Sequence, residues 1–200
     1  MLDEAAQHCR GCDLYRHATQ AVIGEGRRSA RIMLVGEQPG DQEDLQGHPF
    51  VGPAGAMLDK ALERAGLLRS DVFLTNAVKH FKWEPRGKRR IHQKPRVSEM
   101  RACRPWLDAE LAIVKPIVVV CLGAVAAQSI FGSRFKLMEQ RGRMLQSAAS
   151  PRTLATIHPA AILRAPDEEA RRLAFASLVK DLKTARKEIR NRRKEIGDRR

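Results

Sequence analysis

The segment RIMLVGEQPGDQED (31–44) decides the fold: an apolar strand-like run passes directly into an acidic loop punctuated by glycine and proline. The same form returns three times. DVFLT (71–75) runs into Asn76, PIVVVC (116–121) ends on Cys121, and RTLATI (152–157) runs into His158-Pro159. Short apolar runs rich in β-branched residues read as strands buried on both faces. Between them, 54–67, 97–114 and 123–131 place apolar residues at helical spacing, with Pro53 ahead of the first helix and Gly66 near its end. Strands alternating with helices make βαβ units. The expectation is one α/β domain over residues 1–200, a three-layer α/β/α sandwich with a central, mostly parallel four-stranded sheet. RGRMLQ (141–146) is a candidate for a small additional strand or hairpin.

Two connections, 36–53 and 76–96, are too long and polar to be simple turns, and long ordered loops in compact domains are usually functional. Open parallel sheets bind ligands at the carboxyl ends of their strands. Glu37, Gln38, Asp41, Asn76 and His158 all fall there. Turn formation explains the glycines and prolines of these segments but not those five side chains together.

Composition narrows the partner. A net charge of +14 over 200 residues points to a polyanion, with nucleic acid ahead of an anionic membrane surface. No apolar run is long enough for a membrane-spanning helix. MLDEAAQHCR (1–10) has neither the basic start nor the apolar stretch of a secretory signal, so an intracellular, cytoplasmic protein is expected. Residues 167–196 read as a charged helix, and 180–200 carry ten Lys/Arg against four Asp/Glu. A solvated surface helix with a frayed end is the simpler reading of that segment. The glycine-rich loop lacks the spacing of a nucleotide phosphate loop, and there is no internal repeat.

The four cysteines are Cys9, Cys12, Cys103 and Cys121. Disulfides do not suit an intracellular chain, whereas four thiolates suit structural zinc or an iron–sulphur cluster. Zinc ribbons pair two CxxC knuckles; here the second pair is separated by 17 residues, which favours iron–sulphur. A redox CxxC, and Cys103 and Cys121 as small buried apolar residues, stay open on spacing alone.

The chain also resembles a known family. GEQPGDQEDLQGHPFVGPAG (36–55) resembles motif one of the iron–sulphur uracil-DNA glycosylases, and HPAAILR (158–164) resembles their second motif. CRPWLDAELAIVKPIVVVCLG (103–123) is similar to the helix–strand unit carrying their third and fourth cluster ligands. The likeness covers roughly 9–165. Where ordinary members have a small residue this chain has Gln38, and together with KRRIH (88–92) this is similar to the UdgX branch, whose members excise uracil and stay covalently attached to the abasic site. The resemblance implies a 4Fe–4S cluster on Cys9, Cys12, Cys103 and Cys121. It also implies a monomer acting on uracil in single- or double-stranded DNA, and His92 as the nucleophile that captures the sugar, oriented by Glu37.

The remaining roles follow from the chemistry of glycosidic cleavage, which separates a cationic sugar from an anionic base. His158 can donate to uracil O2, with a surface histidine beside a turn as the alternative. Asn76 offers both a donor and an acceptor for uracil O4 and N3–H, although asparagine also suits a turn. Phe50 can stack on the extruded base or simply pack in the core. Gln38 and Gly40 belong with the substrate loop, and Asp41 can stabilise the sugar cation, place water, or cap the next segment. Lys88, Arg89, Arg90 and Lys94 can grip phosphates or be merely solvated. Leu163 and Arg164 can enter or support the helix as the base leaves. Two rivals stand beside the trapping reading: an ordinary multiple-turnover glycosylase of the same family, and a non-catalytic iron–sulphur DNA-binding protein.

Overall fold

The computed structural model describes residues 2–197. The chain begins with α1 (Leu2–Gln7), then alternates: β1 (Ile32–Gly36), α2 (Asp41–Gln46), α3 (Pro53–Ala65), β2 (Val72–Asn76), β3 (Trp83–Arg86), β4 (Arg89–His92), α4 (Val97–Val114), β5 (Val118–Leu122), α5 (Ala124–Phe131), α6 (Leu137–Gln140), β6 (Met144–Leu145), β7 (Thr153–Thr156), α7 (Pro159–Leu163) and α8 (Glu168–Gly197). The last residues of the expected C-terminal tail, 198–200, lie outside the described residues. Among the described residues no helix is long and apolar enough to cross a membrane.

The central sheet has the order β2-β1-β5-β7-β6 and five strands, one more than expected. Four are parallel, as anticipated; the fifth is the two-residue β6, antiparallel to β7, from the RGRMLQ segment. Alternation of side chains along each strand builds two cores. Ile32, Leu34, Val72, Leu74, Val118 and Val120 face α3 and α8, meeting Leu58, Leu62, Leu178 and Leu182. Met33, Val35, Phe73, Val119 and Cys121 face α4 and α5, meeting Leu107, Ala126 and Ile130. Both faces of the sheet are therefore covered, which makes the three layers.

Residues 76–96 are not an open loop. Trp83–Arg86 and Arg89–His92 form an antiparallel hairpin, closed by the two-residue turn Gly87-Lys88 with Gly87 at φ +59°.

Candidate active site

The chain passes from β1 to β2 on one side and then crosses to β5 on the other, a topological switch between β1 and β5. A cleft of about 680 Å³ opens there, at the carboxyl ends of the strands. It is lined by Glu37, Gln38 and Gly40 after β1, Asn76 at the end of β2, Gly123 after β5 and His158 after β7, with His92 and Lys94 from the hairpin side. Four segments distant in sequence thus meet at one edge, as their positions after the strands led one to expect.

Asn76 forms the cleft's most specific feature. The residue is 2% exposed, and among the described residues no group donates to its buried Oδ1. A buried acceptor left without a donor costs about 1–3 kcal/mol, so an amide held this way favours a ligand that brings an N–H. Gly36, paired with Asn76 across β1 and β2, is what makes room: a Cβ there would lie 2.3 Å from Asn76 Oδ1 and 2.7 Å from the Phe50 ring. Phe50 is held at φ +57°, a left-handed conformation costly for a bulky residue. Its ring stacks beside His158, with centroids 6.3 Å apart. Glu43 secures this loop by accepting from the Gly40 N–H at 3.1 Å and the Gly52 N–H at 2.8 Å, joining the two ends of the segment that carries Phe50.

His158 caps α7, its Nδ1 accepting from the Ala160 N–H at 3.1 Å. In the neutral ring the proton then sits on Nε2, which makes a fixed donor. Burial, with Arg164 and His92 adding positive charge, lowers its pKa to about 4, so the neutral donor persists through the physiological range. The unfolded chain, with an ordinary histidine near 6.5, takes up a proton that the folded chain refuses. Stability tied to His158 is therefore whole above about 6.5 and drains as pH falls toward 4. Melting temperature measured through that window should drop more for the parent than for His158→Asn; parallel curves would refute the assignment.

The hairpin brings His92 to the cleft. Its side chain is 49% exposed, with Nε2 3.7 Å from Glu37 Oε1, a pair that must tighten to form a hydrogen bond. Burial lowers the His92 pKa, with Arg164 acting in the same direction, and burial raises that of Glu37 against the pull of Lys94 and Arg164. Gln38 lines the cleft but spends its amide on the hairpin's base: Nε2 donates to Lys82 O (3.1 Å) and Gln93 O (3.0 Å), and Oε1 accepts from the Lys82 N–H (3.2 Å). It clamps the two strands that deliver His92, and no base contact is needed to explain it.

Two expectations are corrected here. Asp41 does not line the cleft; as the first residue of α2 it takes Arg90 Nε at 2.6 Å. Arg90 in turn donates to the buried Asp44 at 2.6 Å, so this arginine is a strut holding the hairpin to α2 and is not free for phosphate. Lys88 and Arg89, at the hairpin tip, and Leu163 and Arg164, at the end of α7, are exposed, and Lys94 and Arg164 reach the cleft.

The cysteines divide. Cys12 packs against a small cluster of Leu14, Val78 and Cys103, and Cys9 is joined to it by Trp106, whose Nε1 donates to Cys9 Sγ at 3.2 Å. The Lys79 N–H donates to Cys103 Sγ, also at 3.2 Å. Burial raises Cys12 and lifts Cys103 to about 11, each further raised by the neighbouring thiols. Cys121 does not join them. It is 0% exposed within β5, packed in the α4/α5-side core, and burial alone pushes its thiol up. The reason is strand alternation: the residue that ends an apolar strand faces the core, while the other three sit at the periphery.

Sequence reasoning missed the residues that knit this corner together. Lys79, 1% exposed, donates from Nζ to Thr75 Oγ1 and Asn76 O at 2.7 Å each and to the equally buried Glu110 at 2.8 Å. It therefore holds the Asn76 backbone with its side chain and Cys103 with its main chain. His80 follows, buried, with its pKa lowered by desolvation and by Arg10, the residue after Cys9, against Asp44. The signal was present in NAVKH (76–80), where a lysine and a histidine directly follow a buried strand.

Comparison with known proteins agrees with this geometry. The profile of the uracil DNA glycosylase superfamily matches residues 23–183. A type-4 uracil-DNA glycosylase of Thermotoga maritima is 34% identical over 189 residues, covering 94% of this chain and 95% of its own length. That of Pyrobaculum aerophilum is 38% identical over 172 residues, covering 82% and 84%. A type-5 uracil-DNA glycosylase of Thermus thermophilus is 36% identical over 131 residues, 56% of each chain.

Proposed function

The chain belongs to the uracil-DNA glycosylase superfamily, and from that premise we propose that it excises uracil from DNA in this cleft. The observation that carries the reading is the buried, unpartnered Asn76 Oδ1. Uracil N3–H supplies the missing donor and O4 accepts from the same amide. Cytosine presents the reverse pattern and would leave both groups unpaired, the strongest form of discrimination available to a small pocket. With the base on Phe50, the Nε2–H of His158 meets O2, where negative charge develops as the N1–C1′ bond breaks. Glu37 is the lining carboxylate nearest the hairpin and offers charge to the sugar cation. The test is a uracil-containing oligonucleotide against its thymine counterpart: abasic product from the first alone supports the reading, and none from either refutes it.

A second reading concerns the fate of the sugar once the base has left, and His92 beside Glu37 favours it. A neutral imidazole can attack C1′ with the nitrogen that does not face Glu37, passing its other proton to that carboxylate. The result is a histidine–sugar bond in place of the uracil–sugar bond. The rival is release of the abasic product with water as the nucleophile, the behaviour of an ordinary multiple-turnover enzyme. A denaturing gel separates them by the presence or absence of a uracil-dependent band at the summed mass.

For the cluster, Cys9, Cys12 and Cys103 fit: N–H donors aimed at two sulphurs are the arrangement that stabilises thiolates. Among the described residues no three His, Cys, Asp or Glu side chains close on a single point, as one zinc ion requires. An iron–sulphur cube instead takes each ligand on a separate iron. We assign the fourth position to His80 in place of Cys121, on its burial and its neighbours. When bound, the cluster fastens the N-terminal segment to α4 and to the strand–hairpin connection. Iron content per chain should stay unchanged in Cys121→Ala and fall in His80→Ala and Cys103→Ala; loss of iron in Cys121→Ala would restore the four-cysteine set.

A further inference from the structure

At the opposite edge of the sheet lies a second concavity. A cavity of about 300 Å³ is bounded by Arg27 and Arg31 before β1, Ser70 and Asp71 before β2, and Arg186 and Arg190 of α8. It adjoins a groove of about 330 Å³ along α8 that shares Arg186 and Arg190 and adds Lys183 and Lys187. Five-residue strands at about 3.3 Å per residue separate this edge from the uracil cleft by roughly 15 Å.

These basic side chains are poorly answered from within. Arg31 Nη1 is buried without a hydrogen-bond acceptor. Among the described residues Arg186 donates to the Ala65 carbonyl, at 3.3 Å, and the Asp71 carboxylate accepts from the Leu68 N–H. A desolvated guanidinium lacking a counter-charge is costly, and six cations around two joined hollows repel one another. An anion with several oxygens relieves both costs at once, and the Ser29 and Ser70 hydroxyls add neutral donors. The concave, unpaired arrangement separates this face from the rest of α8, where Arg171 pairs with Glu168.

We propose that this face is a second site for the phosphates of DNA, independent of sequence and of uracil. It rests on the excision reading only for the choice of DNA as the polyanion. A chain so equipped holds nucleic acid at the far edge while its cleft samples bases, so that the local concentration of candidate sites rises without any new base contact.

The test measures binding to a long single-stranded oligonucleotide without uracil over a salt series. The parent is compared with Lys187→Ala/Arg190→Ala, exposed positions far from the cleft, and with Arg31→Met. Loss of two phosphate contacts should flatten the slope of log affinity against log salt by about 1.4, at about 0.7 per contact. Arg31→Met should move in the same direction, and excision from a short uracil oligonucleotide that only fills the cleft should be unchanged. Unaltered slopes in the double variant or in Arg31→Met overturn the proposal. So does displacement by inorganic phosphate, at constant ionic strength, as effective as displacement by DNA, which would mark a free-phosphate pocket. Because the long oligonucleotide carries no uracil, this arm decides the site whether or not the chain excises; absence of product from the short one would count against excision alone.

Discussion

In His92→Ala the covalent band that the trapping proposal expects of the parent should disappear entirely, and abasic product should rise beyond one equivalent per protein molecule. The argument is geometric. The hairpin sets an imidazole, half exposed, at the mouth of the uracil cleft and 3.7 Å from the one carboxylate able to orient it. Its depressed pKa keeps it neutral, and therefore nucleophilic, at neutral pH. Alanine would leave Asn76, Phe50 and His158 untouched but offer the sugar cation only water, so cleavage should persist while capture ends. Capture in the parent should fade only on the acid side of the ordinary histidine value of 6.5, because the shift is downward. A band surviving in His92→Ala would place the bond on another residue. Turnover without a band in the parent would leave the ordinary glycosylase in possession.

Asn76→Ala should slow excision by about 10²–10³-fold, the scale of removing a pre-organised polar contact to the reacting group. The informative part is the accompanying stability. Among the described residues nothing donates to its Oδ1, so removing it breaks no hydrogen bond within the chain. The variant should melt no lower than the parent, and by as much as about 1 kcal/mol higher in stability. Activity lost with stability kept is the mark of a group held for its substrate. A variant that loses both would instead mean that Asn76 supports the fold and that uracil is read elsewhere.

The fold was largely legible because its signals are local and repeated. Each parallel strand is a short β-branched run, and the residues flagged after the first, second and fourth include Glu37, Gln38, Asn76 and His158, now found around the cleft. The edge strand β6 was anticipated only as a candidate within RGRMLQ, because two residues carry no periodicity to read. The site was legible where chemistry belongs to one residue after one strand, as at Asn76 and His158. It was not legible where the partner is distant. Nothing near Asp41 or Arg90 says that they face each other across 49 positions. Cys121 misled because a thiol at a strand end looks available, while its orientation depends on which face of the sheet that position takes. Lys79 and Glu110 were silent for a related reason: a buried ion pair looks in sequence like two surface charges.

That ion pair has a consequence at the level of the cell. Lys79 holds the Asn76 carbonyl with its side chain and the Cys103 sulphur with its main-chain N–H. If Cys103 carries iron as proposed, a copy without it should loosen the end of β2 that holds Asn76. On the proposed ligand set, iron supply would then decide how many copies are fit to cut.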